Sequence, residues 1–400
     1  MSGFAGIVQL DGAPADVKLA ETMTRLAERH GNDAPVLHCH EEFAFGHSLL
    51  RTTPESATET QPFSIDGNTW ILGDVRIDAR EELAADLKKA NLSTQLSRPD
   101  IELVLMAFEA WGDACLDHLL GDFAFVVWNC REKRLFCARD SFGVKPFYYA
   151  FKNHSFIFSN NLDSVRAHPL VSDGRNEAFV ADFLLFGHNL DERTTFYADI
   201  QRLPPGHFLK LGTKGSPQLR KYSRLIFDDR IEYKNEDDYC GHFLTLFKRA
   251  VQDRLRTDAV GFELSGGMDS TSVAAVAARL NEGNPLFSAK AITTDGSKID
   301  PQDEEASFAR TVSEQCGLIH ETVEAGSQVD FYSYLDNPQP YAWPFAATTI
   351  HFADRMRQHG RVMLSGQGAD PIMHSSGVPL LDIFRSNSRA LFLKTFFAGA

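Results

Sequence analysis

The sequence predicts a two-domain α/β protein: a sandwich of two packed sheets covered by helices, then a parallel sheet with helices on both faces. Length is the first reason, because 400 residues exceed what one hydrophobic core usually serves. The second is the strand-and-turn character of the N-terminal half. The third is a regular alternation of strand and helix patterns after Asp237.

In the N-terminal half, "FAGIVQL" from Phe4, "TWILGDVRI" from Thr69, "GDFAFVVWN" from Gly121, "RLFCARD" from Arg134 and "SFIFSNN" from Ser155 are strand-sized apolar runs bounded by Gly, Asp or Asn. Helical patterns near Val17–Arg29 and Ile101–Trp111 interrupt them. From Leu203, "LPPGHFLKLGTKGSPQLRKY" is rich in Pro, Gly and Lys and is expected to form a loop or hairpin between the two units. Beyond it come a helix at about Tyr239–Leu255, a strand at Val260–Leu264 and a helix at Ser270–Leu280. A strand at Leu286–Ile292, a helix at Glu304–Cys316, the run "HETVEA", a helix near Ala347–Gln358 and the strand "RVMLSG" complete the series. The expected domains are therefore 1–205 and 237–400, joined by a linker or hairpin over 206–236. The helical-looking run from Leu380 ends in mid-pattern at "LFLKTFFAGA", as expected of a piece of a longer protein.

Composition narrows the function. A formal charge of −14 argues against non-specific nucleic-acid binding, which needs a basic face. It leaves room for a nucleotide, since a small site makes its own local field. The six cysteines form no C-x-x-C pair, the N-terminal residues carry no basic signal-peptide region, and "FAFVVW" is too short to span a bilayer. A cytoplasmic protein with reduced thiols, independent of membranes, is expected.

The chemistry concentrates in "GFELSGGMDSTSVAAVAARL", Gly261–Leu280. In an open parallel sheet, ligands sit beyond the carboxyl ends of strands. Gly266 and Gly267 let the backbone turn tightly and bring N–H groups to an anion, and the helix that follows adds its positive end. A kinase-like or GTPase-like loop would continue with Lys, but Met268 and Asp269 stand there. An acid beside phosphate is repulsive unless a cation lies between, so Asp269 implies Mg²⁺. The plainer alternative is a turn followed by a helix N-cap, where Asp and Ser are favoured. "RVMLSGQGADP", Arg361–Pro371, repeats the grammar of strand, Ser-Gly, glycine and Asp. Two such strand ends could bring Asp269 and Asp370 to one metal, although Asp370 could instead cap a turn.

These stretches resemble the asparagine synthetase family along nearly the whole chain. "SGGMDS" (Ser265–Ser270) looks like its pyrophosphate loop and "LSGQGAD" (Leu364–Asp370) like its second nucleotide loop. "GDFAFVVWN" and "ARDSFGVKPFYYA" resemble stretches of its glutaminase-like domain, and "IQRLPPGHFLKL" resembles the segment joining its domains. The resemblance implies an N-terminal αββα sandwich of the Ntn-hydrolase, class II glutamine amidotransferase type. An α/β ATP-pyrophosphatase domain, similar to adenine nucleotide alpha hydrolases, would follow. It also implies that ATP and Mg²⁺ bind, with the pyrophosphate on Ser265, Gly266, Gly267, Asp269 and Ser270, the nucleoside against Leu264, Ser365 and Gly366, and the metal on Asp269 and Asp370. A substrate carboxylate would attack the α-phosphorus, and an amine would then displace AMP. Asp269, Asp370 and Gln367 are the candidate catalytic positions.

The glutamine pocket departs from the family. Ser2 stands where glutamine-using members carry a nucleophilic Cys, and serine is far less ionised than a thiol. The family's substrate arginine in "GHxRL" falls on Leu49, its "NGE" oxyanion stretch reads "LGD" with Leu72, and "RGPD" reads "HGND", His30–Asp33. Only Asp100 in "RPDIEL" resembles a glutamine-site residue. The domain is expected to be a retained scaffold without glutaminase activity. That points to members that couple two groups of one substrate: lasso-peptide macrolactam synthetases and β-lactam synthetases. Between the glycines of the second loop, asparagine synthetases usually carry an acid and β-lactam synthetases a tyrosine; here it is Gln367, and Pro371 replaces a common Glu. Gln367 fits neither of those branches, so lasso-type cyclisation of a precursor peptide is reached by elimination, with a leader-peptide-binding or protease partner implied. Asparagine synthesis, β-lactam synthesis and a catalytically silent nucleotide-binding partner protein are the alternatives.

Other features have plainer readings. "HCHEE", His38–Glu42, offers metal-ligand types without zinc-site spacing. Asp303, Glu304 and Glu305 suit a helix start, with a substrate or second-metal role as the alternative. Tyr332, Tyr334, Tyr341 and Trp343 suit packing or a peptide pocket.

Overall fold

Strand β6 (Leu120–Asn129) explains why the N-terminal unit is a layered sandwich. Phe123, Phe125 and Val127 point to one side and join a core with the helices α2 (Arg80–Lys89) and α3 (Asp100–Trp111). Ala124, Val126 and Trp128 point to the other and join a core between two sheets. A strand buried on both faces reads as a continuous apolar run, and "FAFVVW" is that run. Each large side chain buried this completely contributes roughly 1.5–3 kcal/mol.

The computed structural model describes residues 1–28, 33–223, 231–257, 259–281, 283, 286–293, 304–325, 339–340 and 353–369. Alongside β6, the N-terminal unit contains β1 (Gly3–Gln9), β2 (Val36–His40), β3 (Phe43–Ser48), β4 (Phe63–Ser64), β5 (Thr69–Asp78) and β7 (Arg134–Arg139). It continues through β8 (Tyr148–Lys152), β9 (Ser155–Ser159), β10 (Gln201–Arg202), β11 (His207–Gly212) and β12 (Gln218–Lys221). One sheet has the order β10-β8-β9-β1-β3-β2 and the other β12-β11-β7-β6-β5-β4, with antiparallel pairing throughout. Helices α1 (Val17–Ala27) and α4 (Leu162–Arg166) cover the first sheet through Ala20, Met23, Leu162 and Val165. The layers are therefore helix, sheet, sheet, helix.

Two points bear on the sequence reading. The stretch expected as a linker or hairpin over 206–236 begins with a hairpin, and its strand β11 pairs with β7, so residues 207–221 are part of the second sheet. Helices α2, α4 and α5 (Glu177–Phe186) stand beside the two helices that periodicity reveals. α2 starts from Ala79 in a left-handed conformation without a side-chain cap, so it carries no start signal in sequence.

The C-terminal unit contains the end of α6 (Glu236–Arg254) from Phe247 onward, β13 (Val260–Glu263), α7 (Met268–Leu280), β14 (Leu286–Thr293), α8 (Glu304–Cys316), β15 (Ile319–Ala325) and β16 (Val362–Leu364). The strands pair in parallel in the order β15-β14-β13-β16. Val260, Phe262 and Leu264 pack with Ala274 and Ala277 of α7 and Ala309 of α8. All six cysteines are unbonded, and no helix among the described residues is long and apolar enough to cross a membrane.

Candidate functional site

β13 and β16 are parallel neighbours, with Phe262 opposite Leu364, so both glycine loops leave the same end of the sheet. They also touch. A Cβ built on Gly366 would lie 2.6 Å from the backbone nitrogen of Ser270 and 3.0 Å from the carbonyl carbon of Asp269. Only glycine allows the second loop to come this close to the first.

The first loop is bent by Gly266, whose φ is +89°. A Cβ there would meet the Glu305 carbonyl oxygen at 2.2 Å, so the start of α8 packs against the loop as well. Within the loop, the Ser265 N–H donates to Ser270 Oγ at 3.2 Å, the two hydroxyls are 3.0 Å apart, and the Gly267 N–H donates to Ser265 Oγ at 3.3 Å. Thr271 Oγ1 donates to the Gly267 carbonyl at 2.8 Å.

These contacts correct the N-cap alternative. α7 begins at Met268, its cap position is Gly267, and no side chain caps it. Ser270 is drawn back to Ser265, and Asp269 lies inside the first turn. The N–H groups of that turn are left for an outside acceptor, and the helix end adds partial positive charge. The Asp269 carboxylate is partly exposed and has no hydrogen-bond or ion-pair partner among the described residues. An uncapped helix start, a glycine-lined approach and a free carboxylate fit a phosphate group with a divalent cation, which Asp269 would hold. Asp370, the expected second ligand, lies outside the described residues, as do Pro371 and the aromatic residues of 332–343.

The remaining positions divide. Ser365 and Gly366 are partly exposed beside Asp269 and Ser270, and the exposed Gln367 donates its N–H to Ser365 Oγ at 3.4 Å. Leu264 is 0% exposed in the core, so its side chain cannot touch a nucleoside and only its backbone remains available. Glu263 was not foreseen. It ends β13, is half-buried with no hydrogen-bond or ion-pair partner among the described residues, and burial raises its carboxyl above the usual range. One acid within the apolar strand "VGFEL" was the available signal. Among the acids at the start of α8, Asp303 lies outside the described residues, whereas the backbone of Glu305 abuts the loop.

The N-terminal pocket is filled by its own side chains. Ser2 is buried, and its Oγ accepts from the Leu50 N–H at 3.0 Å. Leu72 and Leu49 are buried apolar residues. The Gly73 N–H donates to Gln61 Oε1 at 2.8 Å, and Gln61 Nε2 donates to Glu59 Oε1 at 2.6 Å. Burial raises the Glu59 carboxyl to about 7 and lowers the His47 imidazole to about 4, with His47 Nε2 3.1 Å from the Gly73 carbonyl. Asp140 accepts from the N–H groups of Phe142, Val144 and Lys145, which braces the loop that delivers Lys145 to Asp74 at 2.9 Å. Asp100 accepts from the Ile77 N–H at 2.9 Å and pairs with buried Arg80, so this carboxylate is engaged with its own fold. Asp33 pairs with Arg51 at 2.8 Å, and His30–Asn32 lie outside the described residues. His38 stacks on Trp70 and His40 on Phe43; no metal-holding group of three ligands occurs among the described residues.

Comparison with known proteins agrees with this layout. Residues 1–223 match the glutamine amidotransferase domain and residues 242–391 match asparagine synthase. Asparagine synthetase [glutamine-hydrolyzing] 3 of Bacillus subtilis is 26% identical over 392 residues, covering 93% of this chain and 62% of that protein. Asparagine synthetase [glutamine-hydrolyzing] 2 of the same organism is 27% identical over 396 residues, covering 92% of this chain and 51% of that protein. Amidase chyE of Penicillium rubens is 26% identical over 365 residues, covering 86% and 52%. The chain thus spans about half to three fifths of the length of these curated relatives. With an amidotransferase domain leading into an asparagine synthase domain, the chain belongs to the asparagine synthetase family.

Proposed function

We propose that the protein is an ATP-dependent amide-forming ligase that activates a substrate carboxylate as its adenylate and joins it to an amine not drawn from glutamine. The adenylating half rests on the loop geometry. Backbone N–H groups at the start of α7 would orient the pyrophosphate while the α-phosphorus is attacked. Asp269, with Asp370, would hold Mg²⁺, which neutralises phosphate charge when bound.

The observation that carries the choice of amine is the occupied Gly73 N–H. An oxyanion hole needs free donors aimed at the developing charge, and here the backbone donor is bonded to Gln61 while Leu72 replaces a side-chain amide. Ser2 Oγ is likewise engaged by the Leu50 N–H. An amine from the substrate itself fits this pocket better than ammonia from glutamine, so we assign macrolactam formation in a lasso-type precursor peptide. Asparagine synthesis, with ammonia or glutamine as the nitrogen source, is the second reading, favoured by the relatives named asparagine synthetase [glutamine-hydrolyzing].

Mass spectrometry after incubation of the full-length protein with ATP, Mg²⁺ and a candidate precursor peptide tests the assignment. Loss of one water from the peptide with AMP formation supports it. Asparagine formed from aspartate and ammonia would replace it with the second reading, and glutamate released from glutamine would overturn the choice of amine.

A further inference from the structure

In the C-terminal unit, one histidine joins two strands of the parallel sheet to the helix that props the first glycine loop. Ser288 on β14 stands opposite His320 on β15 in the strand register. Ser313 of α8 meets both. The two hydroxyl oxygens are 2.6 Å apart, and His320 Nδ1 lies 2.9 Å from Ser288 Oγ and 3.1 Å from Ser313 Oγ. Both serines are buried and His320 is partly buried. Neither hydroxyl makes another hydrogen bond among the described residues.

Counting protons fixes the charge state that this cluster needs. A hydroxyl donates once, and a neutral imidazole with its proton on Nε2 accepts at Nδ1. One serine then donates to the other, which donates to Nδ1, and all three atoms are satisfied. An imidazolium brings a third proton. Its Nδ1–H donates to one hydroxyl, that hydroxyl donates to the next, and the last is left buried without an acceptor, which is costly. Burial lowers the His320 imidazole below its ordinary value; Arg310 adds to the effect and Glu314 opposes it. Those two α8 side chains are the charges that it senses among the described residues.

The cluster matters because α8 has little else to seat it. Among its described side chains only Ala309 and Ser313, one turn apart, are fully buried, and both are small. After Gly317, whose φ is +66°, the Leu318 N–H returns to the Ser313 carbonyl at 2.9 Å, so this end of the helix is fixed beside His320. About 12 Å up the helix, at ~1.5 Å per residue, the Glu305 carbonyl fills the space that a Cβ on Gly266 would need. A rigid helix thus passes its seat on the sheet to the loop that carries Asp269. We infer that His320 is a positioning residue of the nucleotide site: its neutral ring seats α8 through Ser288 and Ser313, α8 props the Gly266 turn, and protonation of the ring loosens the loop's hold on phosphate. This rests on the nucleotide reading of that loop and adds an acid-sensitive control to it. The sign follows from burial. The folded ring holds its proton less tightly than the unfolded chain does, so the tether is complete above the ordinary histidine value and is lost as pH falls through the lowered one.

The test compares the parent protein with His320→Asn, whose amide oxygen replaces Nδ1 as an acceptor but does not titrate. Calorimetry with ATP and Mg²⁺ at about pH 7.5 and about pH 5 reads the site, and amide hydrogen exchange of α8 without nucleotide reads the tether. Titration of ATP itself is common to both proteins and cancels. Both should bind ATP alike at the higher pH. On acidification the parent should lose about three- to tenfold more affinity than His320→Asn, the worth of one hydrogen bond, and its α8 amides should exchange faster than the variant's. Ser313→Ala, which unties α8 at any pH, should already bind weakly at the higher pH. Exchange of α8 that responds to pH alike in parent and His320→Asn overturns the tether, whatever ATP does. Exchange that differs while ATP affinity does not overturns its role in positioning the loop. Failure of the parent to bind ATP at either pH instead removes the nucleotide reading, and the inference with it.

Discussion

Replacing Gly266 by alanine should damage the nucleotide site more than any other single methyl group placed in it. The new Cβ would sit 2.2 Å from the Glu305 carbonyl oxygen and 2.8 Å from its carbon, and both are backbone atoms that cannot rotate away. Relieving such overlap typically costs about 1–3 kcal/mol. The φ of +89° adds about 1–2 kcal/mol for a residue with a side chain. Together these give about 2–5 kcal/mol, a large share of the ~5–15 kcal/mol that stabilises an ordinary domain. Each kcal/mol lowers the melting temperature by about 2–4 °C in a domain of ~150–250 residues. A fall of at least about 4 °C is therefore expected for Gly266→Ala in differential scanning fluorimetry, together with loss of the stabilisation that ATP gives. Two neighbours serve as internal controls. Gly368 has a φ of +87° but nothing within 4 Å of its added Cβ, so Gly368→Ala should show the dihedral cost alone. Gly267 has a φ of −72° and meets only Ser265 Oγ, at 3.3 Å, so alanine there should be milder still. If Gly266→Ala melts with the parent protein and keeps its ATP affinity, the packing of α8 against the loop is wrong.

Other outcomes follow from the same contacts. Asp269→Ala should abolish Mg²⁺-dependent ATP binding in calorimetry while leaving the nucleotide-free melting temperature within about 1 °C, because the carboxylate has no protein partner among the described residues. Asp100→Ala should destabilise the N-terminal unit by about 1.5–3 kcal/mol in urea titration, since it removes the carboxylate that pairs with buried Arg80 and accepts from the Ile77 N–H, while Arg80 keeps the Leu96 and Arg98 carbonyls and Glu55; ATP binding should be unchanged. The Glu59 carboxyl is raised by burial to about 7, so the folded state holds its proton more tightly than the unfolded chain does. Its contribution to stability is full below the ordinary glutamate range and is lost as pH rises through about 7; Glu59→Gln should remove that slope. His47, lowered to about 4 by burial, acts oppositely: its contribution is full above the ordinary histidine value and is lost as pH falls through about 4. Denaturation curves from pH 4 to 8 on parent and Glu59→Gln proteins separate the two (about half a pH unit per step suffices).

Much of the molecule was legible in the chain because its strongest signals are local. "FAFVVW" announced a strand buried on both faces, and the structure fills both sides of β6. The parallel unit was read almost element by element, with α8 at Glu304–Cys316 as expected, because parallel strands and their crossover helices alternate in sequence as in space. Edge strands such as β2, where burial is shallow, and the uncapped helix α2 gave no comparable pattern. The hairpin of β11 and β12 shows the limit most plainly. Its turn was visible in the sequence, but pairing with β7 is a long-range choice that no local residue reports.

The sequence by itself determined the two-unit α/β plan, the glycine loops and the loss of the family's glutamine-site residues, because residue type and short spacing fix turns, strand faces and available chemistry. Only the tertiary structure decided what those residues face. It buried Leu264 in the core, left Asp269 without a partner among the described residues, set Gly366 against Ser270, gave the Gly73 N–H to Gln61 and tied Asp100 to Arg80. Each of these depends on atoms distant in the chain, and a carboxylate acts on a ligand only where the fold has not already supplied its partner.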